Sequence, residues 1–252
     1  MRDYASGSFD LVCTDPPFGD NRGYGRQNKR MILSNESPVL GLLAMQESFR
    51  LLRDNRFALM FLDHRHIGII DVFFRRYSSF TLRGYVVWDK EIMGLGYGIR
   101  ARHKLIAVLE KGKPFYGDRG IPSVLRFQRE PTPEHPHKKP LSLMSYLIRN
   151  FSSPDDVVLD PFCGTGSTLV AAKKLGRRYV GIELDAAHVA TAEARLKTFT
   201  KPERNDPCPN SQTSTTPNSE PLATRSTDAS KSWSVRQLFS WSSRRTSSDS
   251  NS

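Results

Sequence analysis

Cysteine is scarce in this sequence, and the three present (Cys13, Cys163 and Cys208) have no paired spacing. An odd number without a Cys-x-x-Cys pair supports neither a disulfide framework nor a zinc site, and no metal is expected. No apolar run reaches the roughly 20 residues of a membrane span, and no charged start leading into an apolar stretch marks a signal peptide. A soluble cytoplasmic protein is expected. Acidic residues are few beside basic ones: 26 against 37, a formal charge of +11. That excess points to a polyanionic partner, although charge bears on association rather than on fold.

Two smaller absences narrow the ligand. Val157-Val158-Leu159 is a β-branched run ending on Asp160-Pro161-Phe162-Cys163-Gly164-Thr165-Gly166. The glycines permit a tight turn, and Ser167 to Leu175 then reads as a helix. A dinucleotide fingerprint would need a third glycine where Leu169 stands, and no phosphate-loop lysine follows. Asp160 at the strand end would repel a pyrophosphate but suits a ligand carrying ammonium and sulfonium charges, which favours S-adenosylmethionine. A second strand, Arg178 to Ile182, ends on Glu183, placed to accept from ribose hydroxyls as the second-strand acid does in nucleotide folds. The turn taken alone is equally compatible with an ordinary βαβ unit.

At 252 residues the chain is long enough for one α/β domain with a full core. Strands are expected at Phe9–Thr14, Phe57–Leu62, Leu82–Trp88 and Leu105–Leu109, and helices from Pro38 to Arg53, Ile67 to Arg75, Leu141 to Asn150 and, capped by Asp185, to about Lys197. With the two strands already described this makes six. Residues 111–140 are proline-rich and basic, and read as an extended connection. From Lys201 the composition changes to Ser and Thr with few aliphatics, so residues 1–200 are expected to fold and 201–252 to form a disordered tail. Within that tail Trp233 to Trp241 is the one segment apolar enough to dock, as a short helix.

The most specific signal is Asp15-Pro16-Pro17-Phe18, which chance would place in a chain of this length about once in a thousand. Its plain meaning is a strand end followed by a rigid turn. Together with Asp160 to Gly166 it resembles the DNA amino-methyltransferases, which modify exocyclic nitrogens of adenine or cytosine. His135-Pro136-His137-Lys138-Lys139-Pro140, Val86 to Lys90 and Gly176 to Glu183 extend the resemblance over about Phe9 to Leu196. Because the catalytic motif precedes the cofactor motif, the likeness is to the permuted beta subgroup. It implies a Rossmann-like α/β fold with a mostly parallel sheet, helices on both faces and a circularly permuted motif order. It further implies S-adenosylmethionine as cofactor and double-stranded DNA as partner.

The chemistry agrees with the resemblance. An adenine amino nitrogen is a weak nucleophile because its lone pair is delocalised into the ring. Accepting its two N–H groups with the Asp15 carboxylate and the Pro16 carbonyl favours an attacking geometry, and the two prolines fix those acceptors in advance. Phe18 offers a face for an extruded base, and extrusion is required because the amine is paired within a duplex. Asp160, Phe162, Gly164, Thr165, Gly166, Ser167, Glu183 and Asp185 are the expected cofactor residues, with Lys139 reaching the cofactor's carboxylate by analogy. Arg22, Arg26, Lys29, Arg30, Arg100 and Arg102 are candidate DNA contacts, or else a solvated basic face. Trp88 is read either as stacking near the target base or as core. Asp at position 15 leans toward adenine-N6, leaving cytosine-N4, RNA and a non-catalytic DNA-binding module as alternatives. Relatives carry a further strand and acidic turn ahead of the position of Phe9, so six strands with one uncovered edge are expected.

Overall fold

The structure, a computed structural model, describes residues 1–17, 38–94, 97–116, 120–129, 138–198 and 235–237. Five strands lie before the third helix: β1 (Phe9–Thr14), β2 (Leu52–Leu62), β3 (Thr81–Asp89), β4 (His103–Lys111) and β5 (Val124–Arg126). Three follow: β6 (Val157–Asp160), β7 (Arg178–Glu183) and β8 (Val235–Gln237). The helices are α1 (Val39–Leu51), α2 (Ile67–Arg76), α3 (Leu141–Phe151), α4 (Ser167–Lys174) and α5 (Ala186–Thr198). All eight strands form one sheet in the order β5-β3-β4-β2-β1-β6-β7-β8. Only the pairings of β4 with β2 and with β3 are antiparallel.

The period of two along the central strands makes two cores. Val12, Ala58, Met60 and Leu62 face α1 and α2, packing on Leu42, Met45, Ile70 and Phe74. Their alternates Leu11, Cys13, Leu59 and Phe61 face α3 and α4, packing on Leu143, Leu147, Ile148 and Ala171. Each buried Val, Leu, Ile, Met or Phe among them contributes roughly 1.5–3 kcal/mol. Since α1 follows β1 on one face and α4 follows β6 on the other, these two neighbouring strands form the switch point of the sheet, and a crevice is expected outside their carboxyl ends. In an open α/β sheet that is where ligands bind.

Two strands were not expected. Val124–Arg126 extends one edge by pairing parallel to β3 at Val87–Asp89, within the segment read as a connection. Val235–Gln237 pairs parallel to β7 at Gly181–Glu183, so this piece of the expected tail is an edge strand and not a helix. Among the described residues the sheet therefore has eight strands instead of about six, and the β7 edge is covered for three residues. The remainder of 201–252 lies outside the described residues. No described helix is long and apolar enough to cross a membrane.

At the opposite ends of the strands a buried carboxylate ties the sheet together. Asp10, wholly buried, accepts from Arg53 Nη1 at 2.6 Å and Arg56 Nε at 3.3 Å with one oxygen, and from the Val157 N–H at 2.9 Å with the other. Asp10→Ala is expected to cost about 2–3 kcal/mol, because a charged hydrogen bond is lost and a backbone donor is orphaned. Chemical denaturation would read this as a lower midpoint at unchanged slope.

Candidate active site

Strands β1 and β6 run parallel, with Leu11 beside Val158 and Val12 beside Leu159, which sets Asp15 and Asp160 at adjoining strand tips. The tips are fastened together: Thr14 Oγ1 donates to Asp160 Oδ1 at 2.8 Å. Thr168 Oγ1, from the first turn of α4, donates to Asp160 Oδ2 at 2.6 Å, and the Phe162 N–H donates to Oδ1 at 3.1 Å. Asp160 is thus a buried pin between β1, β6 and α4, and it reaches the crevice mainly as a charge. Burial pushes its carboxyl up to about 6 despite these three donors, and the nearby Asp15 adds to the rise.

The glycine turn is drawn onto β7. Glu183 Oε2 accepts the Gly164 N–H at 2.8 Å, while Oε1 accepts those of Leu184 and Asp185 at 2.8 and 3.0 Å. Gly164 has φ +50° and no atom beyond its own chain neighbours within 4 Å of where a Cβ would stand, so that side of its backbone is open to a ligand. Gly166, at φ +81°, is instead a packing glycine: a Cβ would lie 2.9 Å from that of Ala192 on α5. Thr165 and Ser167, also expected to touch the cofactor, are engaged by Arg195, whose Nη1 donates to the Thr165 carbonyl at 2.5 Å and lies 3.5 Å from Ser167 Oγ. Asp185 caps α5, accepting the Ala187 N–H at 2.8 Å. Burial pushes both the Cys163 and Cys13 thiols well up, so neither is a ready nucleophile.

Asp15 has partners that its motif does not reveal. Lys104 Nζ, from the start of β4, sits 3.2 Å from Oδ1 and 3.4 Å from Oδ2, and Lys139 Nζ donates to Oδ2. Lys139, expected at the cofactor's carboxylate, stands here on Asp15, with its ammonium also 5.4 Å from the centre of the Phe61 ring. Burial alone would raise the Asp15 carboxyl, but the two ammonium groups outweigh it and hold it at about 2. Asp15 is therefore ionised, and a hydrogen-bond acceptor, at neutral pH.

The turn after Asp15 is fixed by packing as well as by ring closure. Pro16 is buried, and α1 comes so close that a Cβ on Gly41 would lie 2.9 Å from the Pro16 ring. Gly41→Val should displace Pro16 and its carbonyl, lowering kcat about tenfold or more, the scale on which small misplacements act, with cofactor affinity unchanged. Steady-state kinetics beside calorimetry would check this. Trp88 belongs to the core: it is 3% exposed, donates to the Phe127 carbonyl at 2.7 Å and meets Phe61 edge-on. Arg102 is held by Asp89 at 2.6 and 2.7 Å. Phe18, Arg22, Arg26, Lys29, Arg30 and the His135–His137 segment lie outside the described residues. Among the described residues no group of three metal-ligating side chains occurs.

Comparison with known proteins meets this geometry directly. Residues 9–194 match the N6/N4 DNA methylase family, from the first residue of β1 into α5. This chain is a member of that family. A putative methylase of Escherichia coli K12, YubD, is 30% identical over 196 residues, covering 78% of this chain and 85% of its own. The type II methyltransferase M.HinfI of Haemophilus influenzae is 50% identical over a shorter stretch of 72 residues, 29% of this chain and 20% of its own. Among solved structures, the putative DNA modification methylase TTHA0409 of Thermus thermophilus, complexed with S-adenosyl-L-methionine, superposes with a TM-score of 0.55 at 25% identity. It covers 78% of this chain and 88% of its own. The cytosine-N4-specific PvuII DNA methyltransferase gives a TM-score of 0.62 at 17% identity, covering 81% and 84%. As a DNA methylase, the chain has the Rossmann-like α/β fold of the S-adenosylmethionine-dependent enzymes.

Proposed function

We propose that this chain transfers a methyl group from S-adenosylmethionine to the exocyclic N6 of adenine in double-stranded DNA, with the target base turned out of the helix. The observation that carries this reading is the adjacency of the Asp15-Pro16 acceptors and the pinned Asp160 at the tips of neighbouring parallel strands. The residues present fit the donor: Gly164 leaves its backbone approachable, Glu183 stands at the end of β7, and Asp160 offers a buried negative charge. When bound, S-adenosylmethionine supplies an electrophilic methyl group on a sulfonium.

The chain's own residues do the rest. The Asp15 carboxylate and the Pro16 carbonyl accept the two amine hydrogens, drawing the nitrogen's lone pair out of conjugation and toward the methyl carbon. Transfer of that methyl group would leave one surplus proton on the amine, which would pass to solvent water. With its carboxyl near 2, Asp15 orients the amine and does not retain that proton. Lys104 and Lys139 keep the carboxylate ionised and aimed without blocking it, because an ionised carboxylate has about four acceptor positions and the two ammonium groups leave some free.

The motif order matches the permuted beta subgroup, and the likeness to type II methyltransferases suits a modification enzyme. A second reading, cytosine-N4, is supported by the family's range, while aspartate at position 15 favours adenine. Single-molecule sequencing of DNA from an Escherichia coli host expressing the chain separates the two. N6-methyladenine at a fixed sequence is the expected result. N4-methylcytosine would transfer the assignment to the second reading. An unmodified genome, together with DNA binding but no heat of cofactor binding, would leave a non-catalytic DNA-binding module.

A further inference from the structure

The hairpin joining β3 to β4 pairs a braced stem with an apolar tip. In the stem the Lys90 N–H donates to the Arg102 carbonyl and the Gly94 N–H to the Ala101 carbonyl, each at 3.0 Å. The bidentate Arg102–Asp89 pair crosses it, and Arg100 Nε donates to the Gly94 carbonyl at 2.7 Å. Beyond this brace Tyr97 and Ile99 are fully exposed, and Ile92 and Met93 are more than half exposed. Ordinary surface turns are built from Gly, Pro, Asn, Asp and Ser. Several large apolar side chains held out in solvent on a rigid support instead mark a surface that meets a partner.

Position and charge identify the partner. Two antiparallel pairings separate β3 from β2, so β3 runs in the same direction as β1, and the hairpin rises from the edge of the sheet that holds Asp15. Its far side leads straight to Lys104, which touches Asp15. Ile99 and Tyr97 lie five and seven residues before Lys104, at most about 18 and 25 Å of extended chain. Between Asp89 and Lys104 four basic residues stand against two acidic ones. That combination suits a duplex, with cations for phosphates and apolar groups for the base stack.

We propose that this hairpin is a wedge: Tyr97 and Ile99 enter the duplex beside the target and fill the space vacated when the base turns out toward Asp15. The inference rests on the methyltransferase reading. Extruding a paired base costs a few kcal/mol, and apolar side chains inserted between base steps offset part of that cost. The braced stem means that little ordering is needed at the moment of contact.

The test uses the full chain and a synthetic duplex carrying the sequence mapped in host DNA. One form has the target base normally paired, and the other has an abasic site opposite it, which makes extrusion cheap. The double variant Tyr97→Ala/Ile99→Ala should lose at least about tenfold in methylation rate on the paired duplex and return to within about threefold of the unaltered chain on the abasic form. Thermal midpoint and cofactor affinity, which a folding defect would shift, should stay unchanged. Equal losses on both duplexes, or no loss on the paired one, would overturn the wedge alone. A host genome without modified bases would overturn the methyltransferase reading and the wedge with it.

Discussion

Replacing Asp15 with alanine is expected to lower methyl transfer about a thousandfold while S-adenosylmethionine still binds. The size follows from what the side chain does: it is a pre-positioned acceptor for charge that develops on the amine only as the new bond forms, and removing one such group typically costs two to three orders of magnitude. Because the effect belongs to the transition state, kcat should fall with little change in cofactor affinity. The alanine variant also strips Lys104 and Lys139 of their shared counter-ion, and Lys139 is nearly buried. Asp15→Asn also removes the charge but keeps the side chain's shape and an acceptor oxygen for the two ammonium groups, so it should fold more nearly like the unaltered chain than the alanine variant and still lose at least about a hundredfold in kcat. Near-normal turnover in a folded Asp15→Asn protein would remove Asp15 from the mechanism.

Asp160→Asn should weaken cofactor binding by more than tenfold and abolish its pH dependence. In the ligand-free chain the carboxyl is raised to about 6, above its ordinary value near 3.9. The stability supplied by the protonated form is thus present in full below about pH 4 and lost as pH rises through about 6. A donor bearing ammonium and sulfonium charges favours the ionised form, so binding releases a proton and grows stronger over that same window. Only about a tenth of the carboxyl is ionised at pH 5 and nearly all at pH 7.5, so affinity should rise about tenfold between them. Calorimetry across that range would show it. Asparagine keeps the shape, and the Thr14 and Thr168 hydroxyls can turn to suit it, so the variant should be no less stable above pH 7. An affinity that is flat with pH in the unaltered chain would mean that Asp160 is a structural pin and nothing more.

The six longer strands and the five described helices were legible in the sequence because each carries its own local signal, an apolar run in β1 and β6 and a stripe in α1, which buries Leu42 and Met45 on one face. Asp185 was legible as a cap for the same local reason. What escaped was non-local or short. Val124–Arg126 is too brief to stand out among prolines, and Val235–Gln237 sits among serines, so each gains its strand identity only from a neighbour already in the sheet. The Lys104–Asp15–Lys139 cluster joins residues separated by 89 and 124 positions, and no spacing rule reaches that far. The one available sign was a lysine opening an otherwise apolar strand. Nor was it legible that Arg195 of α5 holds the Thr165 carbonyl and stands 3.5 Å from Ser167 Oγ, or that both Asp160 oxygens help to hold the strand tips together.

The arrangement of the two strand tips can be tested by determining the structure of the chain with S-adenosylmethionine bound. An amine nitrogen must hydrogen-bond to Asp15 and also stand about 3–3.5 Å from the methyl carbon, which requires that carbon to lie within about 6 Å of the Asp15 carboxylate. A methyl group at that distance, facing open space beside Pro16, is the expected result. A donor bound at another edge of the sheet, or a methyl group walled off from Asp15 by Lys104 and Lys139, would contradict it.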